Sequence, residues 1–254
     1  MEFARENITG ELSAEAVNVH LHEVSKIYRL RNGQRVVLDN VTFSFPRGMN
    51  IAVLGLNGAG KSTLIRLIAG AEEPTSGRIL RYSRVSWPLG FSGGFAGSMT
   101  GRENVRFVAR IYGRDEEEVE DFVRAFADIG EHYFMPVKTY SSGMRARLAF
   151  GVSMAIDFEC YLVDEILAVG DAVFRQRCEE MFTDKLQEAD IIMVAHSPRL
   201  LRRYCNAAAI LDGGRLTFYP DLEEGVEAYD ELIRQRQAQG AMRRRPRGRR
   251  NPPA

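Results

Sequence analysis

The residues with the clearest chemical meaning are 55–62, GLNGAGKS, which form a complete P-loop motif. An apolar run before them predicts a buried strand, and residues 63–69 have the spacing of a helix that ends at Gly70. The glycines allow successive backbone N–H groups to converge on phosphate oxygens, and a helix N-terminus adds partial positive charge. We expect Lys61 to reach the β- and γ-phosphates and Ser62 to ligate Mg²⁺. The motif therefore predicts binding of a nucleoside triphosphate.

Two later apolar segments end in polar side chains that suit the same chemistry. The first leads to Asp164 and Glu165, and the second leads to His196. If both segments are strands of one parallel sheet, Asp164 can reach the Mg²⁺ held by Ser62, and Glu165 can polarise the attacking water. His196 can hydrogen-bond the γ-phosphate or position that water. Each residue alone is more often structural, so the prediction depends on their combination with the P-loop.

The order of elements predicts a nucleotide-binding core interrupted by a helical insertion at about residues 86–150. Strand-like runs recur between residues 17 and 79, with a hairpin turn at Asn32-Gly33. The chain is thus predicted to consist of a flexible leader (1–16), one domain (17–238) and a basic disordered tail (239–254).

The bulk composition limits the class of protein. The chain has 34 Lys and Arg residues against 34 Asp and Glu residues. No apolar run approaches the roughly 18–20 residues that span a bilayer, and the start lacks the pattern of a secretory signal. Three widely spaced cysteines, Cys160, Cys178 and Cys205, indicate reduced thiols. We expect a cytosolic protein, or one held on the cytosolic side of a membrane by another protein.

The basic tail has three possible roles. Residues 242–250 contain six arginines and no apolar period. This segment can be a solvated end, can contact anionic lipids at about 1 kcal/mol per close basic residue, or can bind nucleic acid without sequence preference.

A segment shortly before Asp164 indicates the family. Residues 140–145, YSSGMR, resemble the signature motif of ATP-binding-cassette (ABC) ATPases, usually LSGGQ, at its usual place. The resemblance continues through residues 164–171, where Asp171 matches the D-loop aspartate, and it includes His196 as the switch histidine. It implies an α/β fold with a P-loop NTPase core of the ABC-ATPase type, an antiparallel β subdomain and a helical insertion.

The resemblance also implies how ATP is bound and hydrolysed. Tyr28 matches the aromatic residue that stacks on adenine, an interaction worth about 1–3 kcal/mol. Nothing near Lys61 in the sequence supplies an obvious arginine finger. In the family, the counterparts of the Ser141 hydroxyl and of the Ser142 and Gly143 amides serve this purpose from the facing subunit, so that a homodimer encloses two ATP molecules. Ser141 or Ser142 can also cap a helix, and both roles can hold together.

The predicted site residues divide by role. Glu165 and His196 are the catalytic candidates, and Ser62 and Asp164 are the candidate ligands of Mg²⁺. The residues predicted to bind ATP are Tyr28, Gly55, Asn57, Gly58, Ala59, Gly60, Lys61, Ser62, Thr63, Ser141, Ser142, Gly143 and Asp171.

Departures from the family pattern indicate a subgroup of ABC ATPases. Tyr140, Ser142 and Met144 replace the usual Leu, Gly and Gln, and no Q-loop glutamine can be assigned in residues 86–95. Both departures resemble the ATP-binding subunits of polysaccharide exporters, particularly those of bacterial capsular polysaccharide, over about residues 17–235. The resemblance implies an ATPase, peripheral on the cytoplasmic face of the bacterial inner membrane. Such an ATPase powers export of a lipid-linked polysaccharide through a separate transmembrane permease.

The sequence is also compatible with other functions. An exporter of O-antigen or teichoic acid would hydrolyse ATP in the same way but carry a different polymer. Exporters of O-antigen often have an added carbohydrate-binding domain, and the short segment after Arg236 therefore favours the capsule group. Soluble ABC ATPases that act on ribosomes or DNA commonly have two cassettes or a long coiled coil, which this sequence lacks, so nucleic acid is not an expected partner. A GTPase is disfavoured because there is no Asn-Lys-x-Asp motif.

The aromatic residues Trp87, Phe91 and Phe95 have two interpretations. They can pack the helical insertion against the core, or they can line a groove that receives a cytosolic helix of the permease.

Overall fold

The protein is described by a computed structural model that covers residues 14–89, 94–164, 171–195 and 197–243. Its strands are β1 (Val17–Leu30), β2 (Gly33–Pro46), β3 (Ile51–Leu54), β4 (Ser76–Arg81), β5 (Val85–Pro88), β6 (Cys160–Asp164), β7 (Asp190–Val194), β8 (Ala207–Asp212) and β9 (Arg215–Tyr219). Its helices are α1 (Lys61–Ile68), α2 (Gly101–Ile111), α3 (Glu116–Ala127), α4 (Ser142–Ala155), α5 (Ala172–Lys185), α6 (Pro198–Tyr204) and α7 (Leu222–Arg243). Short 3-10 turns occupy Ala14–Ala16, Gly130–Phe134 and Val137–Thr139.

A six-stranded sheet forms the predicted nucleotide-binding core, with the strand order β5-β6-β7-β3-β8-β9. Its paired strands are parallel except for β8 and β9. Alternate residues of β3 enter two different apolar clusters, Ile51 and Val53 one of them, Ala52 and Leu54 the other. Both faces of the sheet are therefore covered, which explains why its strands are continuous apolar runs. The carboxyl ends of β3, β6 and β7 lie at one edge, where parallel α/β sheets place ligands.

A separate antiparallel sheet has the order β2-β1-β4. In the β1–β2 hairpin, Leu30 pairs with Gly33, so Arg31 and Asn32 form the loop. The same register places Tyr28 directly opposite Arg35. This sheet is the predicted antiparallel β subdomain, and it brings Tyr28 towards the core.

The helical insertion comprises α2, α3 and α4, and it starts later than predicted. Ser86 is fully buried in β5 of the central sheet, where its hydroxyl accepts a hydrogen bond from the Leu162 N–H at 2.9 Å. The predicted start at about residue 86 is therefore too early, because the apolar and aromatic residues of 85–88 belong to a core strand. Hydrogen bonds from Arg110 on α2, and then from Arg106, lower the pKa of Glu116 on α3 to about 2.

The predicted tail boundary is also corrected. Helix α7 continues to Arg243, beyond the predicted start of a disordered tail at residue 239. Within the described ranges, no helix is both long enough and apolar enough to cross a bilayer. Cys160, Cys178 and Cys205 are buried free thiols, as expected, and burial raises the pKa of the latter two to about 12.

Candidate nucleotide-binding site

The P-loop is held closely between β2 and β8. Gly60 has φ +112°, and a Cβ atom there would lie 2.2 Å from Val37 Cγ1. A Cβ atom on Gly55 would lie 2.5 Å from the backbone oxygen of Leu211. Any other residue at these two positions would push the loop away from its neighbours. The loop thus approaches the strands as closely as its glycines allow. The Ala59 N–H closes a turn within the loop by donating to the Leu56 oxygen at 2.9 Å.

Lys61 lies against the loop that precedes it. The residue is 8% exposed, and its Nζ donates hydrogen bonds to the carbonyls of Gly55 at 2.7 Å and Leu56 at 3.3 Å. The hydroxyl of Tyr229, on α7, donates to the same Gly55 oxygen at 3.0 Å. Sequence reasoning missed Tyr229, since no local pattern connects residues that are 174 positions apart.

A cleft of about 360 Å³ contains most of the predicted nucleotide-binding residues. Eight of its lining residues were predicted: Tyr28, Asn57, Gly58, Gly60, Lys61, Ser62, Thr63 and Asp164. The remaining four, Arg35, Val37, Arg66 and Val194, were not predicted. The aromatic ring of Tyr28 suits adenine, and the P-loop with its lysine suits the phosphates. The oxygens of Ser62 and Asp164 suit Mg²⁺.

A polar network fixes Tyr28 in this cleft. Its hydroxyl donates to Glu72 at 2.5 Å and lies 3.4 Å from the Thr63 hydroxyl. Glu72 also forms ion pairs with Lys26 at 3.0 Å and Arg66 at 3.1 Å. Burial alone would raise the pKa of Glu72, but hydrogen bonds from Tyr28, Lys26 and Arg66 outweigh it and lower the pKa. Because the hydroxyl is hydrogen-bonded, the ring of Tyr28 has a defined position at the cleft.

The signature segment lies at the N-terminus of α4 and does not line this cleft. The Ser141 hydroxyl caps the helix by accepting a hydrogen bond from the Met144 N–H at 3.2 Å. Ser141 and Ser142 are exposed. Among the described residues, apart from its two chain neighbours, the Ser141 hydroxyl oxygen, at 3.9 Å, is the nearest side-chain atom to a Cβ added on Gly143. The start of α4 is therefore an open surface in the part of the chain that the structure describes.

Asp171, the predicted D-loop residue, is hydrogen-bonded to helix α4. Its Oδ2 accepts a hydrogen bond from Arg147 of α4 at 2.7 Å, and its Oδ1 caps α5 by accepting from the Phe174 N–H at 2.9 Å. The Arg147 guanidinium also lies 4.3 Å from the centre of the Phe174 ring. The signature helix and the start of α5 are thus joined by one arginine, which sequence reasoning did not find.

Comparison with known proteins identifies the family to which this arrangement belongs. The sequence model of a family described as ABC transporter matches residues 38–168, just over half of the chain. The chain belongs to the ABC transporter family. An ATP-binding cassette solved as a dimer in a post-hydrolysis state with ADP and Pi has the same fold, with a TM-score of 0.63. Its sequence identity is 17%, over 78% of this chain and 96% of that one.

Sequence relatives confirm the predicted group within the ABC family. The polysialic acid transport ATP-binding protein KpsT of Escherichia coli is 48% identical, over 83% of this chain and 98% of its own length. The capsule polysaccharide export ATP-binding protein CtrD of Neisseria meningitidis serogroup B is 46% identical, over 84% and 99%. Relatives named for teichoic acid export match at 34–35% identity. The predicted fold and enzyme class, an ABC-type ATPase, are likewise confirmed.

Two of the three aromatic residues in question pack inside this ABC cassette. The Trp87 indole donates to the Ser153 hydroxyl at 2.8 Å, and its ring contacts those of Tyr112 and Phe158 edge-on. Phe95 is half-buried against the apolar cluster that contains Phe158. These contacts favour the packing role for Trp87 and Phe95.

The predicted catalytic residues Glu165 and His196 lie outside the described residues, as do Phe91 and the basic residues after Arg243. The roles of these residues stay predictions.

Proposed function

We propose that this chain is the ATP-hydrolysing subunit that powers export of a capsular polysaccharide through a separate transmembrane permease, at the cytoplasmic face of the inner membrane. ATP hydrolysis is supported by one observation: Tyr28, the P-loop, Ser62 and Asp164 line the same cleft. The cargo is inferred from the relatives named for polysialic acid transport and capsule polysaccharide export.

Each described residue of the cleft has a definite task in binding. Tyr28 stacks on adenine, and the backbone N–H groups of the P-loop and the start of α1 hold the phosphates. Lys61 exchanges its two carbonyl contacts for the β- and γ-phosphates. Ser62 and Asp164 supply oxygen ligands to Mg²⁺, which when bound neutralises charge on the phosphates.

Hydrolysis needs groups that one copy does not bring together. Glu165 acts as general base on the attacking water, and His196 positions that water or the γ-phosphate. The start of α4 in a second copy completes the site, because Ser141, Ser142 and Gly143 lie exposed or half-buried at an open helix N-terminus. The functional unit is therefore a homodimer with two ATP sites.

Exposed apolar side chains on and beside α2 support binding of the permease at this helix. Phe107 and Ile111 are one helical turn apart and 51% and 60% exposed, and Tyr112 beside them is 39% exposed. Exposed apolar side chains at this spacing suit an amphipathic helix from a partner. Trp87 supports this surface from within through its contact with Tyr112.

The proposal is tested by measuring ATP turnover of the chain co-purified with a candidate permease, in the presence of different lipid-linked glycans. We expect a capsular glycan to raise turnover, and a Glu165→Gln variant to lower it by about 10²–10⁴-fold while ATP binding persists. Stimulation by teichoic acid or O-antigen precursors instead would change the cargo. No stimulation by any glycan, together with association of the chain with ribosomes or DNA, would refute the proposal.

A further inference from the structure

Arg35 is a cation at the mouth of the nucleotide cleft that the family motifs do not include. It lies on β2, directly across the hairpin from Tyr28, and it lines the same cleft as the P-loop. Directly paired residues of antiparallel strands project from the same face of the sheet. The hairpin therefore presents an aromatic ring and a guanidinium side by side to whatever the cleft binds.

The guanidinium of Arg35 reaches the P-loop itself. Its Nη2 donates a hydrogen bond to the backbone oxygen of Gly58. A Cβ atom on Gly58 would lie 3.2 Å from this nitrogen, so glycine makes room for the arginine. The contact places a full positive charge beside the loop whose N–H groups are shaped for phosphate oxygens.

The charge of Arg35 is not neutralised by another side chain in the described part of the protein. Arg66, the other arginine of the cleft, forms an ion pair with Glu72 at 3.1 Å. For Arg35, by contrast, no carboxylate of the described ranges lies within ion-pair distance, and Gly58 accepts from one of its five N–H donors. An exposed arginine with spare donors in a fork geometry is suited to phosphate oxygens.

We propose that Arg35 binds the polyphosphate of the nucleotide from the hairpin side, opposite Lys61. The P-loop is then clamped between a lysine within the core and an arginine from the antiparallel sheet. Arg35 gives the site affinity for the phosphate chain, while Tyr28 beside it gives affinity for the base. This inference rests on the proposed ATP-binding function of the cleft.

The test compares Arg35→Ala with the unchanged protein in equilibrium binding of ATP, AMP and inorganic tripolyphosphate. We expect the dissociation constants of ATP and tripolyphosphate to rise about tenfold, and that of AMP to rise much less. Arg35→Lys, which keeps the charge but loses the fork, should fall between the two. The matched control is Arg29→Ala, an exposed arginine of the same hairpin that does not line the cleft.

The outcomes separate this inference from the proposed function. If Arg35→Ala binds ATP and tripolyphosphate as the unchanged protein does, or weakens AMP as much as ATP, the phosphate role is wrong. A lower melting temperature with unchanged affinities would make the Gly58 contact purely structural and overturn the inference. Failure of the unchanged protein to bind ATP would refute the proposed function itself.

Discussion

Among single residues, those that hold the P-loop before it binds phosphate matter most for ATP binding. The Gly55 oxygen accepts hydrogen bonds from both Lys61 and Tyr229, at 2.7 and 3.0 Å. Burial, and then the nearby charge of Asp230, raise the pKa of Tyr229, so its hydroxyl stays protonated and able to donate at neutral pH. The Gly55 oxygen has two lone pairs, so it accepts both bonds, and Tyr229 can keep this carbonyl in place when Lys61 turns to a phosphate.

Replacement of Tyr229 by Phe should therefore weaken ATP binding. Without this hydrogen bond the first residue of the P-loop is held less firmly, and we expect a loss of about 1 kcal/mol, or about fivefold in the dissociation constant. Titration with ATP, alongside thermal unfolding, measures both affinity and stability. Tyr219→Phe is the matched control, since Tyr219 packs near the same helix and its hydroxyl has no hydrogen-bond partner in the described ranges. Equal affinities for Tyr229→Phe and the unchanged protein would show that this hydroxyl does not contribute to ATP binding.

At the scale of elements, local patterns predicted the P-loop, the buried strands and the helix at Ser141 because each depends on neighbours in sequence. The register of the hairpin was not available from Asn32-Gly33, since the loop is formed by Arg31 and Asn32. Only that register reveals Arg35 beside Tyr28. The contacts of Tyr229 with Gly55 and of Arg147 with Asp171 arise from packing of distant elements, which no periodicity encodes.

The start of α4 allows the two roles of the signature segment to be separated. A Cβ atom on Gly143 would meet no atom of the described residues closer than 3.9 Å, leaving out those that Gly143 already adjoins in its own helix. An acid in the first turn of a helix is favoured by about 0.3–1 kcal/mol. We expect unchanged or slightly higher thermal stability and normal ATP binding by one copy. Turnover should fall by at least about 100-fold, because the carboxylate would face the γ-phosphate of the second copy. Gly143→Ala, without the charge, should retain more activity, and normal turnover in Gly143→Asp would place the signature segment away from ATP.

At the scale of the whole molecule, one chain has a nucleotide cleft at one place and an exposed signature segment at another. The cleft lacks Ser141, Ser142 and Gly143 among its lining residues. Arg147 connects the signature helix to Asp171, the predicted D-loop residue. We propose that each ATP is hydrolysed between the P-loop of one copy and the signature of another.

The most direct test is to mix two inactive variants, Lys61→Ala and Gly143→Asp, and measure ATP turnover. A mixed dimer pairs the intact P-loop of one variant with the intact signature of the other, so an equimolar mixture regains about a quarter of the sites of the unchanged protein. As a control, Lys61→Ala mixed with the double variant Lys61→Ala, Gly143→Asp has no intact site and should stay inactive. We predict recovery of turnover in the first mixture only. Turnover no higher than the sum of the two separate variants would contradict the shared site.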